Sequence, residues 1–415
     1  MTEESKSQPQ GIGLLRLIGP GLVTACVVIG PGSILTSSKV GAEEGYSKIW
    51  VVVVSVVIML TYVTLGMRLG VVSGQSNGVL ASRHIHPSVS VLIGLSVFFI
   101  SAAFQFGNNL GAHSALSTYV EFDYWPIVLN VIVLSVLFGF RNLYPFVERT
   151  MACFVALMLV AFAINLGFAK PDPAEFAKGF LPLGGDSKIG LPLLGLIGTT
   201  FVISAAYYQS YLVQFKGWTL DNLRRGMQDA RLSATIMGVI TVMIMSTAAA
   251  VLRGQELSGV GDVADQLKPL FGEKGRAIFC LGLFAAAFSS FIVNSMIGGF
   301  ILSDALGLGS TPNERWPRIL TAAVLVIGMA VALFVIKTGV KPVPAIVAAQ
   351  AVTVLAAPLI AGAMLWLTNL ESVMGEHRNG PVINIAAGAG LLLLVGMSIY
   401  TAAEKVWPAL SGHFG

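Results

Sequence analysis

Eleven apolar stretches separated by polar turns run through the chain, at roughly 14–40, 48–73, 88–117, 124–140, 146–168, 190–215, 229–252, 277–307, 317–337, 342–368 and 381–402. Each is long enough for a helix to cross the hydrocarbon of a bilayer. The third and eighth exceed that length and are expected to tilt or protrude. The first is interrupted by Ile29-Gly30-Pro31-Gly32-Ser33-Ile34. Pro31 removes a backbone donor and clashes with the preceding turn, while the flanking glycines permit non-helical angles. Backbone groups freed at membrane depth are tolerated only against protein or a water-filled cavity. The sixth stretch mixes β-branched, small and polar residues from Gly198 to Ser210. It reads either as a second break or as a helix with a polar stripe facing its neighbours.

Two interrupted segments, each opening a run of five, form the pattern of an inverted repeat. The implied organisation is a cytoplasmic tail over 1–13, five-helix repeats over 14–168 and 190–368, and an eleventh helix over 381–402. The halves share no visible sequence similarity, so this reading rests on spacing and breaks. Lys and Arg divide almost evenly between the two sides. Discounting the long loops 169–189 and 253–276 leaves a preference for a cytoplasmic N-terminus.

Composition agrees with a polytopic membrane protein: 55% hydrophobic, 11% charged, mean hydropathy +0.80. The net charge of +4 reads as juxtamembrane Lys and Arg and not as a nucleic-acid surface. Cys26, Cys153 and Cys280 all fall in apolar segments, an odd set expected to be buried and without metal-ligand spacing. There is no metal-ligand cluster and no pair of intramembrane carboxylates, which argues against an enzyme. No cofactor is expected, and compact loops without an organelle signal suit a bacterial inner membrane.

Ser33 and Ser204 sit where half-helices would restart. As N-caps they would aim free N–H groups and positive dipole ends at a shared cavity, unless each is only a local cap. Gly298 and Gly299 are expected to allow close helix packing. The adjacent Ser289 and Ser290 would serve either packing or a cation.

Several motifs are similar, in order and spacing, to Nramp-family divalent-metal transporters. At the start these are Gly19-Pro20-Gly21, the break at 30–33, the stretch from Gly41 to Ser47, and Trp50. Further along they are Ser210-Tyr211-Leu212-Val213-Gln214, Phe288-Ser289-Ser290, Gln350 and Met374-Gly375-Glu376. The resemblance implies an all-α, leucine-transporter-type 5+5 inverted repeat with an eleventh helix, helices 1 and 6 broken, working by alternating access. The family's functional residues do not carry over. Its Asp-Pro-Gly-Asn stands here as Gly30-Pro31-Gly32-Ser33. Its Ala-x-x-Met-Pro-His falls on Thr199, Val202, Ile203 and Ser204, and a second histidine on Gln209. Its segment-3 acids, linked to proton movement, fall on Gln105 and Asn108.

Without a thioether or carboxylate, a transition-metal site is not expected, and amides cannot carry a proton path. The expected substrate site comprises Gly30, Gly32, Ser33, Thr199, Thr200, Val202, Ser204, Tyr207, Gln209 and Gln350. Being neutral and hydroxyl-lined, it suits a small anion such as bicarbonate or a short carboxylate. The expected coupling ion is Na⁺, held by Cys26, Ile29, Ala286, Ser289 and Ser290. The alternatives are a largely hydrated, Mg²⁺-like divalent cation bound through carbonyls and water, and a sensor without flux. The lipid bilayer is the expected surrounding, with no nucleic-acid partner.

Overall fold

In the computed structural model the described residues are 19–140, 143–182, 190–257, 260–339 and 353–403, and no strand occurs among them. The helices are α1 (Pro20–Val28), α2 (Pro31–Glu44), α3 (Ile49–Ser73), α4 (Asn77–His84), α5 (Pro87–Ser117), α6 (Trp125–Gly139), α7 (Leu143–Ala169) and α8 (Pro173–Lys178). They continue as α9 (Leu191–Thr200), α10 (Ile203–Phe215), α11 (Leu223–Val251), α12 (Val260–Ala305), α13 (Arg315–Thr338), α14 (Ala357–Leu367), α15 (Glu371–Met374) and α16 (Pro381–Thr401). Among the described residues seven helices are individually long and apolar enough to cross a membrane. The tenth expected segment is described only from residue 353 onward.

Local chemistry places the helix starts. Gly19, Gly30, Gly190 and Gly380 are extended N-caps followed at once, or one residue later, by proline. Proline fits the first turn because the N–H it lacks would have no intrahelical partner there. Segment 3 is one 31-residue helix. Segment 8 runs 34 residues from a kink at Gly272, whose φ of 66° suits glycine. Both are over-long, as the sequence indicated.

The bundle closes through glycines. Ideal Cβ atoms at Gly298 and Gly299 would lie 2.7 Å from the Ser101 Cβ and 2.3 Å from the Thr321 nitrogen. Only hydrogen atoms there let α12 lie against α5 and α13. Gly66 and Gly70, four apart on α3, bring its backbone onto α10. Cβ atoms there would meet the Ala206 and Ser210 carbonyls at 2.1 and 2.5 Å. The half-helices pair crosswise, α1 with α10 and α2 with α9, while α11 supports α1 and α2.

At one end of the bundle Asp304, near the end of α12, accepts hydrogen bonds from the Ser76 hydroxyl (2.6 Å), the Gly78 N–H (2.7 Å) and the Tyr211 hydroxyl (2.5 Å). It joins α4, α10 and α12. Arg68 on α3 donates to the His377 and Arg378 carbonyls and to Asn379 Oδ1. Cys26 and Cys280 are buried, but Cys153 is exposed on α7. The expectation of three buried cysteines is corrected accordingly: an apolar segment in a membrane protein has a face that needs no protein cover.

Candidate functional site

Both expected breaks are present. The first bends the chain by 54° between α1 and α2. The second falls at Phe201 and Val202, between α9 and α10, so the interrupted reading of segment 6 holds over the polar-stripe one. The two junctions leave the helix through the same conformation: Ile29 has φ −89°, ψ 68°, and Phe201 has φ −99°, ψ 71°. Both lie near the inverse γ-turn minimum. Each N–H still bonds back four residues, Ile29 to the Ala25 oxygen at 3.1 Å and Phe201 to the Ile197 oxygen at 2.7 Å. Helix then resumes with Ile34 N–H bonding to the Gly30 oxygen and Ala206 N–H to the Val202 oxygen.

The serine caps do not form. Gly30 and Val202 are the N-caps, and neither helix start carries a side-chain cap bond. Pro31 occupies the first helical position at a preset φ, so α2 restarts before Ser33 can act as its cap. In α10 the helix is already under way at Ile203. Ser33 Oγ is instead buried without a hydrogen-bond partner, as is Thr200 Oγ1. Thr199 is used structurally, its hydroxyl 3.2 Å from that of Thr36 on α2.

Gly30 is the point where distant residues converge. An ideal Cβ there would lie 3.0 Å from Ser290 Oγ on α12 and 3.4 Å from Asn108 Oδ1 on α5. The Ser290 hydroxyl donates to the Cys26 carbonyl (2.7 Å), released near the end of α1, while Ser289 bonds back to the Ala286 oxygen of its own helix at 3.1 Å. Asn108 Nδ2 donates to Gln105 Oε1 (3.1 Å), and Asn294 on α12 reaches the Ser101 carbonyl (2.7 Å). Gln105, Asn108 and Ser290 thus form one buried group around the first break, and Pro31 rests on Gly111 of α5.

On the second break's side, Val202 and Ser204 line a cavity of about 10 Å³ with Gly198, Phe104 and Thr353, room for about one water. Tyr207 and Gln209 are buried on α10. Gln209 Oε1 accepts from the Thr24 hydroxyl of α1 at 2.5 Å, which leaves its Nε2 unpartnered. Thr24 and Thr36 were not legible as site residues: Thr24 is the one hydroxyl of an apolar α1, and Thr36 shares α2 with Ser33, Ser37 and Ser38. Gln350 lies outside the described residues. Among the described residues no group of three His, Cys, Asp or Glu side chains could hold a metal.

A family model described as Natural resistance-associated macrophage protein-like matches residues 21–404. The chain belongs to the Nramp family. Its relatives include the divalent metal cation transporter MntH of Bacillus subtilis, 25% identical over 405 residues that cover 94% of this chain and 93% of that protein. MntH of Deinococcus radiodurans is 26% identical, covering 97% and 92%. Among solved structures, an Eremococcus coleocola manganese transporter superposes with a TM-score of 0.78 at 19% identity, covering 98% of this chain and 90% of that one. The nucleobase-cation-symport-1 transporter Mhp1 superposes at 0.56 and 12% identity, covering 93% of each. The fold is therefore the leucine-transporter type, and this Nramp member is a multi-pass membrane transporter and not an enzyme.

The comparisons overturn the expected sodium-coupled uptake of bicarbonate or another small anion: the relatives are divalent metal cation transporters. The expected anion or carboxylate partner falls with it. The physical error lay in treating a missing carboxylate as evidence for a negative substrate. Carbonyl, amide and hydroxyl oxygens are hard donors that serve a cation equally well, and the two serine-capped dipole ends that were to hold the anion do not form.

Proposed function

We propose that this Nramp-family chain carries a divalent metal cation, with part of its water shell retained, by alternating access about its two helix breaks. The observation that supports it is the convergence at Gly30 of Asn108 Oδ1, Ser290 Oγ and the released end of α1, beside the unpartnered Ser33 hydroxyl. These are oxygen donors without formal charge. They suit an ion that binds hard oxygens and keeps several waters, as Mg²⁺ does, better than one that prefers a thioether. Fixed charge to offset dehydration is lacking at the break, so retained water does that work. The loop charges favour a cytoplasmic N-terminus in a bacterial inner membrane.

The test is flux of Mg²⁺ and Mn²⁺ into proteoliposomes carrying the purified chain, alongside a Ser33→Asp variant. Saturable Mg²⁺ entry is expected. A carboxylate at position 33 should tighten divalent-ion binding by about tenfold, since one opposite charge at such a site is worth at least about 1.4 kcal/mol. Absence of flux for both metals would refute the reading.

A further inference from the structure

Among the described residues around the breaks there is no carboxylate, imidazole or basic side chain: Gly30, Ser33, Gln105, Asn108, Ser204 and Gln209 are all neutral. One buried acid nevertheless touches a broken helix. Asp229 on α11 is 2% exposed, and its Oδ2 accepts from the N–H of Gly21, in the first turn of α1, at 2.6 Å. The carboxylate acts as a cap supplied by another helix, at the end where the α1 dipole is positive. The approach is possible only because α1 begins with glycines. A Cβ on Gly19 would lie 2.7 Å from Asp229 Cγ, and one on Gly21 2.6 Å from Ser233 Oγ.

The rest of the carboxylate is unsupported. Asp229 Oδ1 and the Ser233 hydroxyl, one turn further along α11, are both buried without a partner. The charged groups that bear on Asp229 are Glu148 of α7, Lys216 at the end of α10, and Arg225 of its own helix. Tyr144 of α7 also faces it. Lys216 is engaged with Glu148 at 2.5 Å, Tyr144 donates to Glu148 at 3.5 Å, and the Arg225 guanidinium lies over the Trp218 ring. No cationic side chain bonds to Asp229 among the described residues. Asp304 is the contrast: it has three donors and joins elements on one side of the bundle.

We propose that Asp229 is a proton-binding latch on the first half of segment 1: ionised, it holds the first turn of α1 against α11; protonated, it releases it. This rests on reading the chain as an alternating-access transporter in which α1 moves. When α1 leaves, the carboxylate loses the Gly21 N–H and the dipole end together. A buried carboxylate left without either is far better accommodated neutral. Proton uptake and the departure of α1 therefore favour each other, and each unit of pH fall across the range in which the released form binds the proton and the latched form does not shifts the balance toward release by up to about tenfold. Asp229 thus supplies a carboxyl group, which the described residues around the breaks lack.

Cys26, buried on α1, provides a native reporter. In detergent-purified protein with Cys153→Ala and Cys280→Ala, its reaction rate with a water-soluble maleimide is measured across mildly acid to mildly alkaline pH, with and without Asp229→Asn. The asparagine imitates the protonated acid. The ratio of the two rates at each pH cancels the thiol's own titration. The expected result is a variant that labels faster at alkaline pH, the ratio growing by up to about tenfold per unit across the range in which the released form binds the proton and the latched form does not, and that converges with the parent at acid pH. A ratio that stays constant with pH overturns the latch. Hydrogen exchange of the peptide over residues 19–29 in the unaltered protein, corrected for intrinsic rates, decides the matter should the variant fail to fold: pH-independent protection also overturns the latch. Neither readout needs a substrate, so failure of the latch and failure of the divalent-metal reading are distinguishable.

Discussion

The two helix breaks share a backbone conformation but not a cause. At the first, Gly30-Pro31-Gly32 forbids a continuous helix whatever surrounds it. At the second, Phe201-Val202-Ile203 contains nothing that forbids one, and β-branched residues only disfavour it mildly. There the interruption is maintained from outside, by α10 lying on the glycine face of α3 and by α9 tied to α2 through Thr199 and Thr36. One junction is written into its own residues, and the other into its neighbours.

The contrast can be broken most severely at a neighbour. Gly66→Leu would drive a side chain into the Ala206 carbonyl, 2.1 Å from an ideal Cβ. It is expected to cost at least about 3 kcal/mol, the upper end for overpacking, and to be seen as a large fall in melting temperature in detergent. A melt within error of the parent's would mean that α10 does not depend on α3. Gly111→Ala tests the first break less drastically. Its Cβ would meet that of Pro31 at 2.3 Å, but the proline keeps its local preference and can shift. Expected are a loss of about 1–2 kcal/mol and lower flux; unchanged stability together with unchanged flux would count against the seat of Pro31 on α5. The smallest effect is a gain. Ile203→Pro installs the first junction's device at the second, at the first position of α10, where the missing N–H has no intrahelical partner to lose. It should raise stability by about 0.4–1 kcal/mol, and a destabilised variant would show that Val202 cannot accept a following proline.

This difference also explains how much could be read from the chain. The all-helical membrane fold, the first break and the over-long third and eighth helices were legible because apolar length, Pro31 and its glycines act locally. The second break was legible only as an irregular stretch; its placement at Phe201 depends on Gly66 and Gly70, more than a hundred residues away in sequence. Ser33 was misread as a cap because Pro31 moves the cap back to Gly30, and Ser204 because α10 is already under way at Ile203. The grouping of Asn108, Ser290 and Cys26 around Gly30 was legible only in part, through Ser290 and Cys26. The role of Asp229 was hidden, since its partner Gly21 lies 208 positions earlier. Substrate charge was the poorest inference, because neutral oxygens do not announce the sign of what they bind.

The glycine seam between α3 and α10 makes the two helices mechanically one rod. With carbonyl oxygens nested where Cβ atoms would otherwise stand, neither can slide or roll without a backbone collision. The 25 residues of α3 span about 37 Å at 1.5 Å per residue. Phe201 packs on Tyr62, midway along α3, so a rotation of about 10° at that hinge would carry either tip of the rod by about 3 Å, roughly the width of a water molecule. A few degrees of torsion at an unwound residue are in this way geared up into the opening or sealing of a passage.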